Sequence, residues 1–327
     1  MNILLVRVSS LGDVLHNLPM VADILRSHPD AHIDWVVEEG YVSLVRLHPR
    51  VRTIIPFALR RWRKSLFSKA TRAEIKAFVH SLRAQQYDYV FDTQGLLKTG
   101  IIMGAARLKP GGRKVGLANG SEGSGYEAIS RIFHTDSIAL DARTHAVARG
   151  RLVAGAALGY SIAGVAPDFG LPAPDAGPRP HWMAAQEYAV FFHGTARASK
   201  KWDSANWIAT GRALAPMPVL LAWGSPAEKH EAETLAAALP NARVLPRLSM
   251  MEAVTLARNA ALAIGVDTGL THIAAAFLRP TIEIYCDSPK WKTEGNWSSR
   301  IVNLGERGAP PAALDVIAAA ERLLGAA

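Results

Sequence analysis

The sequence predicts an α/β protein of two halves, each organised around a parallel β-sheet. Short, nearly continuous apolar runs alternate with helix-like segments along the chain, as is typical of buried parallel strands and their crossover helices. The 327 residues are enough for two domains with a core each. Residues 161–180 are rich in proline, glycine and alanine and interrupt this alternation, which begins again after them. We therefore expect a linker at 161–180.

In the first half, strands are expected where apolar residues run without a break, at 2–8, 32–37, 51–57 and 87–92. Helices are expected between and after them, at 14–26, 41–47, 71–85, from beyond Gly95 through Arg107, and at 144–158. Residues 109–136 are glycine-rich and show no clear period.

In the second half, strands are expected at 189–193, 218–223, 243–245 and 281–286. Helices are expected at 203–214, 228–239, 250–259 and 312–324. The segment Ala263–Ala276 combines both elements, because an apolar run breaks at Asp267-Thr268-Gly269 and continues as an alanine-rich helix. Two similar α/β halves also suggest a ligand cleft between them.

The composition indicates a globular protein with an anionic partner. Hydrophobic residues make up 49% and charged residues 20%, which excludes a disordered chain. The net charge of +9 predicts attraction to nucleic acid, a membrane surface or an acidic substrate. The single cysteine, Cys286, and the lack of a signal-like or membrane-spanning stretch lead us to expect a cytoplasmic protein.

Several familiar nucleotide and metal motifs are absent from the sequence. It contains no Gly-Lys dipeptide, so a Walker A loop is excluded, and no Gly-x-Gly-x-x-Gly fingerprint. No two aspartates are spaced as Asp-x-Asp, and no His-x-x-x-His pair with a neighbouring glutamate or cysteine cluster occurs. The sequence thus favours a mechanism without metal, in which lysines, arginines and helix N-termini neutralise phosphate charge.

Ser10-Leu11-Gly12-Asp13 follows the first predicted strand and allows two interpretations of Asp13. The segment matches a capping box, in which Asp13 stabilises the helix start. The carboxyl end of a first parallel strand is also where α/β proteins place reactive groups. A carboxylate there could accept the proton of an attacking sugar hydroxyl, and both roles can coexist.

Three segments of the second half are expected at one sheet edge. The loop His193–Trp202 carries Lys200 and Lys201, either of which could contact a diphosphate, or the loop is a solvated surface. Glu228 could bind sugar hydroxyls or stabilise the first turn of its helix. The turn Asp267-Thr268-Gly269 presents unpaired N–H groups to an anion, while Asp267 itself either binds sugar hydroxyls or caps the helix.

The strongest local charge lies between Arg60 and Lys76, with seven lysines or arginines against one acid, Glu74. Its core, Arg60-Arg61-Trp62-Arg63-Lys64, could be a solvated turn, a nucleic-acid patch or a site for an acidic acceptor. Nucleic-acid binding normally needs a longer basic face with several aromatic residues. With one tryptophan among the charges, a compact polyanionic acceptor fits better.

These motifs together resemble the ADP-heptose:lipopolysaccharide heptosyltransferases nearly from end to end. The resemblance is carried by six segments: Val8-Ser9-Ser10-Leu11-Gly12-Asp13-Val14-Leu15-His16-Asn17-Leu18-Pro19, Asp34-Trp35-Val36-Val37-Glu38-Glu39-Gly40, Arg60-Arg61-Trp62-Arg63-Lys64, Gln94-Gly95-Leu96, the 193–202 loop and Val266-Asp267-Thr268-Gly269-Leu270-Thr271-His272. Two departures are Ala196, where close relatives often have threonine, and Cys286-Asp287-Ser288-Pro289 in place of Gly-Pro-Thr-Asp-Pro.

The resemblance implies a GT-B fold of two Rossmann-like domains with parallel sheets facing a central cleft. It implies an N-terminal acceptor domain at 1–170, a C-terminal ADP-heptose domain at 181–310, and a final helix at about 312–324 that packs back on the first domain. It also implies an inverting, metal-independent transfer of L-glycero-D-manno-heptose from ADP-heptose to Kdo of the inner core on lipid A. No cofactor and no nucleic acid are expected. Peripheral contact with the cytoplasmic face of the anionic inner membrane is expected.

The resemblance also assigns site residues. Catalytic roles fall to Asp13, as the general base, and Lys200, which stabilises the leaving diphosphate. Donor-binding positions are Thr195, Lys200, Glu228, Asp267, Thr268, Gly269 and His272. Acceptor-binding positions are Ser10, Gly12, Arg60, Arg61, Arg63, Lys64 and Gln94. Two alternatives are another heptosyltransferase of this family with a heptose acceptor, and a non-catalytic binder of nucleic acid or anionic membrane through the basic segment.

Overall fold

The computed structural model describes residues 1–173 and 179–325. The chain divides between Gly170 and Leu171 into two compact units. This boundary lies within the segment 161–180 that the sequence predicts as the linker, and residues 174–178 of that segment lie outside the described residues. Each unit contains one six-stranded sheet in which all strand pairs are parallel. The predicted class, two α/β halves with parallel sheets, is therefore confirmed.

The strands of the first unit are β1 (Asn2–Val6), β2 (His32–Glu38), β3 (Val51–Phe57), β4 (Gln86–Asp92), β5 (Arg107–Leu117) and β6 (Asp136–Ile138). Its helices are α1 (Leu11–His16), α2 (Leu18–Ser27), α3 (Val42–Arg46), α4 (Leu59–Trp62), α5 (Lys69–Leu82), α6 (Leu97–Ala105) and α7 (Ala146–Leu158). A 3₁₀ helix, Ala128–Phe133, packs beside α6. The sheet order is β3-β2-β1-β4-β5-β6.

The strands of the second unit are β7 (Ala189–Phe192), β8 (Val219–Leu221), β9 (Ala242–Val244), β10 (Leu262–Val266), β11 (Thr281–Tyr285) and β12 (Ile301–Gly305). Its helices are α8 (Ser204–Ala213), α9 (Pro226–Ala237), α10 (Met250–Asn259), α11 (Gly269–Ala276) and α12 (Ala313–Gly325). The sheet order is β12-β11-β10-β7-β8-β9.

Both sheets change direction of winding at a similar place. In the first, β1 has β2 on one side and β4 on the other, so the chain leaves β1 towards one edge and later returns to build the other. In the second, β7 lies between β8 and β10 in the same way. Ligands of open α/β sheets bind outside the carboxyl ends of the strands at such a switch point. The loops after β1, β4, β7 and β10 are therefore the places to look for a site.

Apolar residues explain why these strands lie in the middle of each sheet. Ile3, Leu4, Leu5 and Val6 of β1 are fully buried, and residues 262–266 of β10 are buried throughout. A strand buried on both faces needs apolar residues at every position, which is why it reads as a continuous run. Within β10, Gly265 is required for packing, because a Cβ there would lie 2.1 Å from Oγ1 of Thr271 on α11.

Several regions differ from what the sequence predicts. The helix expected at 14–26 is two helices that meet at Asn17, because Pro19 lacks the N–H that would continue the first one. The segment 109–136 contains most of β5, whose exposed, basic residues hide a strand pattern. Strand β12 follows a loop and was not predicted at all.

Helix α12, the final helix, packs on the sheet of the second unit, and its expected contact with the first unit stays a prediction. Val316, Ala319, Ala320 and Leu323 form the apolar face of α12, and they are buried in the core of the second unit with β10, β11 and α8. Among the described residues, no helix has both the length and the apolar character that crossing a bilayer requires.

Candidate functional site

The loop after β1 places Asp13 in the first turn of α1. Its Oδ2 accepts hydrogen bonds from the Ser10 hydroxyl at 2.8 Å and the Ser10 N–H at 3.1 Å, so the predicted capping contact exists. Its Oδ1 lies 2.6 Å from Nη2 of Arg7, and about 35% of the Asp13 side chain is exposed. The same carboxylate thus caps α1 and remains accessible to a ligand. Gly12 precedes it within that first turn.

The charge of Asp13 is controlled by its neighbours. Burial alone raises the pKa of a carboxyl, but the Arg7 guanidinium and the Ser10 hydrogen bonds outweigh burial and lower the pKa of Asp13 far below its ordinary value. Arg7 is itself fixed, since its Nη1 donates to the Thr93 carbonyl after β4. Asp13 is therefore ionised throughout the physiological range.

The loop after β4 holds the loop after β1 in place. Oε1 of Gln94 accepts the N–H of Val8 at 3.0 Å, and Nζ of Lys98 donates to Oγ of Ser9 at 3.2 Å. Gln94 is 8% exposed. The Gln94 side chain thus links the two loops, and its predicted contact with an acceptor stays a prediction.

Arg149 on α7 is a member of this cluster that the sequence did not single out. It is 7% exposed, and its Nε is buried with no hydrogen-bond partner among the described residues. Burial, reinforced by Arg7 and opposed by Asp13, lowers the pKa of Arg149 from 12.5 to about 10. Arg7 and Arg149 therefore both interact electrostatically with the Asp13 carboxylate, and this excess of positive charge favours a further anion nearby.

The predicted basic segment is divided by its contacts. Arg61 is paired with Glu39 at 3.0 Å and with Glu74 at 2.6 Å, and these hydrogen bonds raise its pKa. Its charge is thus neutralised within the protein, and it ties α4 to α5. Arg60, Arg63 and Lys64 are exposed, and within residues 1–173 and 179–325 no such acidic partner is seen for them. They remain candidates for an acidic acceptor, whereas Arg61 is a structural residue first.

In the second unit, Lys200 and Asp267 meet although 67 positions separate them in the chain. Lys200 lies in the loop after β7, and Asp267 begins the turn after β10. Nζ of Lys200 is 2.5 Å from Oδ2 of Asp267. Lys201 instead pairs with Glu231 on α9. The geometry therefore distinguishes the two lysines, since Lys200 faces the turn and Lys201 faces a neighbouring helix.

A buried chain of charges continues behind Asp267. Nε2 of His272 lies 3.0 Å from Oδ1 of Asp267, and Nδ1 lies 2.8 Å from Oε1 of Glu283. Glu283 is fully buried in β11, and its Oε2 accepts hydrogen bonds from Tyr285 and from the N–H of Gly295, each at 2.9 Å. Lysine, aspartate, histidine and glutamate alternate in charge along this chain, so each is compensated by its neighbour.

These contacts set the protonation of the chain. Burial lowers the pKa of His272, but Glu283 and Asp267 outweigh it and raise that pKa from 6.5 to about 10. Burial raises the pKa of Asp267, but His272 and Lys200 hold it well below its ordinary value. His272 is therefore an imidazolium beside an ionised Asp267. His272 is 2% exposed and its two ring nitrogens face Asp267 and Glu283, so its predicted contact with a donor stays a prediction.

The turn Asp267-Thr268-Gly269 has the geometry expected of an anion site. Helix α11 begins at Gly269, and the Thr268 side chain at its N-cap makes no capping hydrogen bond. Asp267 is bonded to Lys200, His272 and Thr293, so its carboxylate takes side-chain partners. The first N–H groups of α11 are thus open to an anion at the positive end of the helix dipole.

Glu228 caps α9, as one of its two interpretations requires. Its Oε2 accepts the N–H of Gly224 at 2.7 Å and that of Ser225 at 3.1 Å. Its Oε1 takes no hydrogen bond from the described residues and is left for a hydroxyl. Gly194 packs closely against this side chain, since a Cβ there would be 2.7 Å from Cδ of Glu228. Thr195 follows Gly194 in the same loop and is half-buried.

Arg7, Arg149 and Glu283 are the main site residues that sequence reasoning missed. Glu283 carried a signal, because a charged residue inside the apolar run Thr-Ile-Glu-Ile-Tyr needs a buried partner. Arg149 carried none, since basic residues on a long helix usually face solvent. Arg7 ends an apolar strand run, where a charge is ordinary.

Comparisons with known proteins show what the whole chain is similar to. A family model described as glycosyltransferase family 9 (heptosyltransferase) matches residues 75–314. Lipopolysaccharide heptosyltransferase 1 of Escherichia coli K12 is 36% identical over 87% of this chain and 88% of its own length. The enzyme of the same name from Pseudomonas aeruginosa is 38% identical over 87% of this chain and 78% of its own.

Solved structures extend the similarity to nearly the whole chain. E. coli heptosyltransferase WaaC with ADP has a TM-score of 0.84 and 32% identity, covering 99% of this chain and 100% of that one. E. coli ADP-heptose lipopolysaccharide heptosyltransferase II has a TM-score of 0.75 over 100% of this chain and 99% of that one, but 19% identity, so it shares the fold. Such neighbours support the predicted GT-B class.

Proposed function

The chain belongs to glycosyltransferase family 9, the heptosyltransferases, and from this premise we propose that it moves L-glycero-D-manno-heptose from ADP-heptose to a Kdo residue of the lipopolysaccharide inner core, with inversion and without a metal. The chain is a glycosyltransferase, and its relatives support heptose transfer in lipopolysaccharide core synthesis. The proposal adds the donor, the acceptor and the stereochemistry. It places the protein in the cytoplasm, at the inner membrane surface.

The observation that carries the proposal is the meeting of Lys200 with Asp267 at the switch point of the second sheet. A diphosphate needs cationic and N–H donors, and Lys200 and the first turn of α11 supply both. A sugar needs hydrogen-bond acceptors, which Asp267 and Glu228 supply. A nucleoside-diphosphate sugar combines these two requirements in one molecule. Of two structures of E. coli WaaC, one holds ADP and the other holds ADP-2-deoxy-2-fluoro heptose.

The donor site has to neutralise charge that develops on ADP. When the bond between the anomeric carbon and the β-phosphate oxygen breaks, its electron pair stays on ADP. Lys200 and the N–H groups that follow Thr268 would stabilise that charge more strongly in the transition state than in the bound donor. Lys200 would leave Asp267 for the diphosphate, and Asp267 would keep the His272 imidazolium as its counter-ion.

Asp13 would act as the base in the first unit. Its carboxylate is ionised and partly exposed, and Ser10 and Arg7 fix its orientation. It would take the proton of the Kdo hydroxyl while the hydroxyl oxygen attacks the anomeric carbon from the side opposite the departing ADP. One C–O bond forms as the other breaks, which inverts the configuration, and the proton passes from Asp13 to water.

The acceptor side is cationic, as a Kdo carboxylate requires. Arg60, Arg63 and Lys64 are exposed, and Arg149 adds a buried guanidinium beside Asp13. A heptose acceptor, the alternative within the family, carries no carboxylate of its own. The cations at this site therefore favour Kdo over heptose.

The test is transfer from ADP-heptose to Kdo₂-lipid A in the presence of a chelator, followed by mass spectrometry and by assignment of the anomeric configuration of the product. We expect one added heptose of inverted configuration. Asp13→Asn should lower kcat by about 10²–10⁴-fold, the range of a positioned general base, because it keeps the shape and removes the charge.

Each part of the proposal has its own contrary result. No product from the parent protein would refute the proposed activity. Preferred transfer to a heptose-terminated acceptor would support the alternative acceptor. Undiminished turnover in Asp13→Asn would leave the activity and remove Asp13 as the base.

A further inference from the structure

Helix α6 carries an exposed aliphatic ridge. Leu97 is 39% exposed and Ile101 is 53% exposed. Because they are four positions apart, they share one face of the helix. Gly100 and Gly104 lie along that face, and a Cβ at either would be within 2.7 Å of the Phe133 ring. The ridge therefore runs directly beside the 3₁₀ helix Ala128–Phe133.

The 3₁₀ helix adds a second ridge. Ile129 is 52% exposed and Ile132 is 68% exposed, and residues three apart in a 3₁₀ helix lie on one side. The neighbouring side faces α6, since Ser130 is buried and both Ser130 and Phe133 approach Gly100. Leu97, Ile101, Ile129 and Ile132 are thus exposed on two helices that pack against each other, and we call these four side chains the aliphatic patch. A group of exposed apolar side chains on a protein surface often marks an interaction site.

Cations border the aliphatic patch. Lys98 follows Leu97, and Arg131 lies between the two isoleucines. Arg60 and Arg63 are close enough to Lys98 to add to the effect of burial in lowering its pKa, while Glu38 opposes them. The nearby Glu127 is engaged, because its Oε2 accepts the N–H of Leu97 at 2.6 Å.

The basic segment carries an apolar residue of its own. Phe67 is 84% exposed and is flanked in sequence by Arg63, Lys64 and Lys69. Aromatic and aliphatic side chains beside lysine and arginine are the composition of membrane-interface anchors. Nucleic-acid surfaces use stacked aromatic residues instead of branched aliphatic ones.

We propose that the aliphatic patch, with Arg60, Arg63, Lys98 and Arg131 around it, docks the first unit on an anionic phospholipid bilayer. Apolar side chains enter the boundary of the acyl region while the cations contact lipid phosphates. A second copy of the chain fits less well, because it would bring the same cations against this surface. The inference deepens the proposed function, in that the lipid A acceptor would be presented at the surface on which the enzyme lies.

The test is co-flotation with vesicles that contain no acceptor and no donor, so its outcome does not depend on the proposed activity. One set of vesicles is phosphatidylethanolamine with phosphatidylglycerol, and the other is phosphatidylcholine alone. The variants are Ile132→Ser and Ile129→Ser/Ile132→Ser. The matched control is Leu314→Ser, since Leu314 is 77% exposed on α12 of the second unit.

We expect the parent and Leu314→Ser to bind the anionic vesicles and to be released by salt. The double variant should bind at least tenfold more weakly, and Ile132→Ser should lie between. Turnover with a soluble, deacylated acceptor should be equal in all four proteins, which separates docking from catalysis.

Three results would overturn the inference. Equal vesicle binding by the double variant and the parent would show that the aliphatic patch does not contribute to docking. Equal binding to phosphatidylcholine would remove the role of anionic lipid. Dimerisation of the parent in solution that the double variant abolishes, without vesicle binding, would make the patch a protein interface.

Discussion

Replacing Glu283 by glutamine tests whether the buried charge chain of the second unit sets the state of Asp267. Glutamine keeps the size of the side chain, and its carbonyl oxygen can still accept from Tyr285 and Gly295. Its amide then faces Nδ1 of His272, which favours the neutral imidazole. The substitution therefore removes one charge and leaves the packing, so its effects report on charge.

The raised pKa of His272 fixes the magnitude. The shift from 6.5 to about 10 corresponds to a stabilisation on the order of 5 kcal/mol from the protonated form in the folded chain. Because the folded-state pKa lies above the unfolded one, this stabilisation is fully present below about pH 6.5 and is lost as the pH rises through about 10. Breaking the buried pair at Glu283 should cost about 3–5 kcal/mol at neutral pH.

The assay is urea unfolding of the parent and the variant between pH 6.5 and 10, with the proton signals of the His272 ring followed by NMR. We expect the free energy of unfolding of the parent to fall with pH across this range. In Glu283→Gln that His272-dependent fall should vanish, and the pKa of His272 should return to 6.5 or below. The KM for the nucleotide sugar should rise, because Asp267 loses the counter-ion that replaces Lys200.

Tyr285→Phe is the matched control. It removes one hydrogen bond to Oε2 of Glu283 and keeps the carboxylate charge. It should lower stability by about 1 kcal/mol and leave the pH dependence unchanged. If Glu283→Gln kept the slope and the His272 pKa of the parent, Glu283 would not be the source of the shift, and the proposed chain of charges would be wrong.

Three further predictions concern Arg7, the lysine pair Lys200 and Lys201, and Arg61. Arg7→Met should raise the pKa of Asp13 and move the acid limb of the kcat profile to higher pH, whereas Arg7→Lys should not; coincident profiles would show that Arg7 does not set it. Lys200→Ala should lower kcat/KM for the donor by on the order of 100-fold or more, while Lys201→Ala should change it little, and steady-state kinetics in which Lys201 matters more would reverse the assignment. Arg61→Ala should lower the melting temperature and leave the KM for the acceptor little changed. A raised KM with an unchanged melting temperature would make Arg61 a ligand residue.

Apolar periodicity predicted most of the sheet strands because a strand buried on both faces has to be apolar throughout. Strand β3 and helix α10 agree with the predicted residues to the end. The same reasoning failed for β5, where Pro110, Gly111 and Gly112 interrupt the pattern. Gly112 is needed because a Cβ there would lie 2.7 Å from the Tyr87 carbonyl, a contact between strands that no local pattern reveals.

The candidate site was predictable where function requires a loop residue and not where it requires a buried partner. Asp13, Lys200 and Asp267 follow strand ends, a position that sequence order reveals. Glu283 and Arg149 act through side chains brought close only by folding. Their roles depend on which residues lie opposite them on neighbouring helices or strands, and only the structure shows those neighbours.

Asp13 and Asp267 both follow a strand at a switch point and both face a cation, but their surroundings differ. Asp267 is 9% exposed in its side chain and is enclosed by three donors, Lys200, His272 and Thr293. A proton on either oxygen would have to displace a hydrogen bond. Asp13 keeps about a third of its side chain exposed and has a cation on one oxygen alone. Its other oxygen lies beside Ser10, and we therefore propose Asp13 as the base and Asp267 as a fixed acceptor of hydrogen bonds.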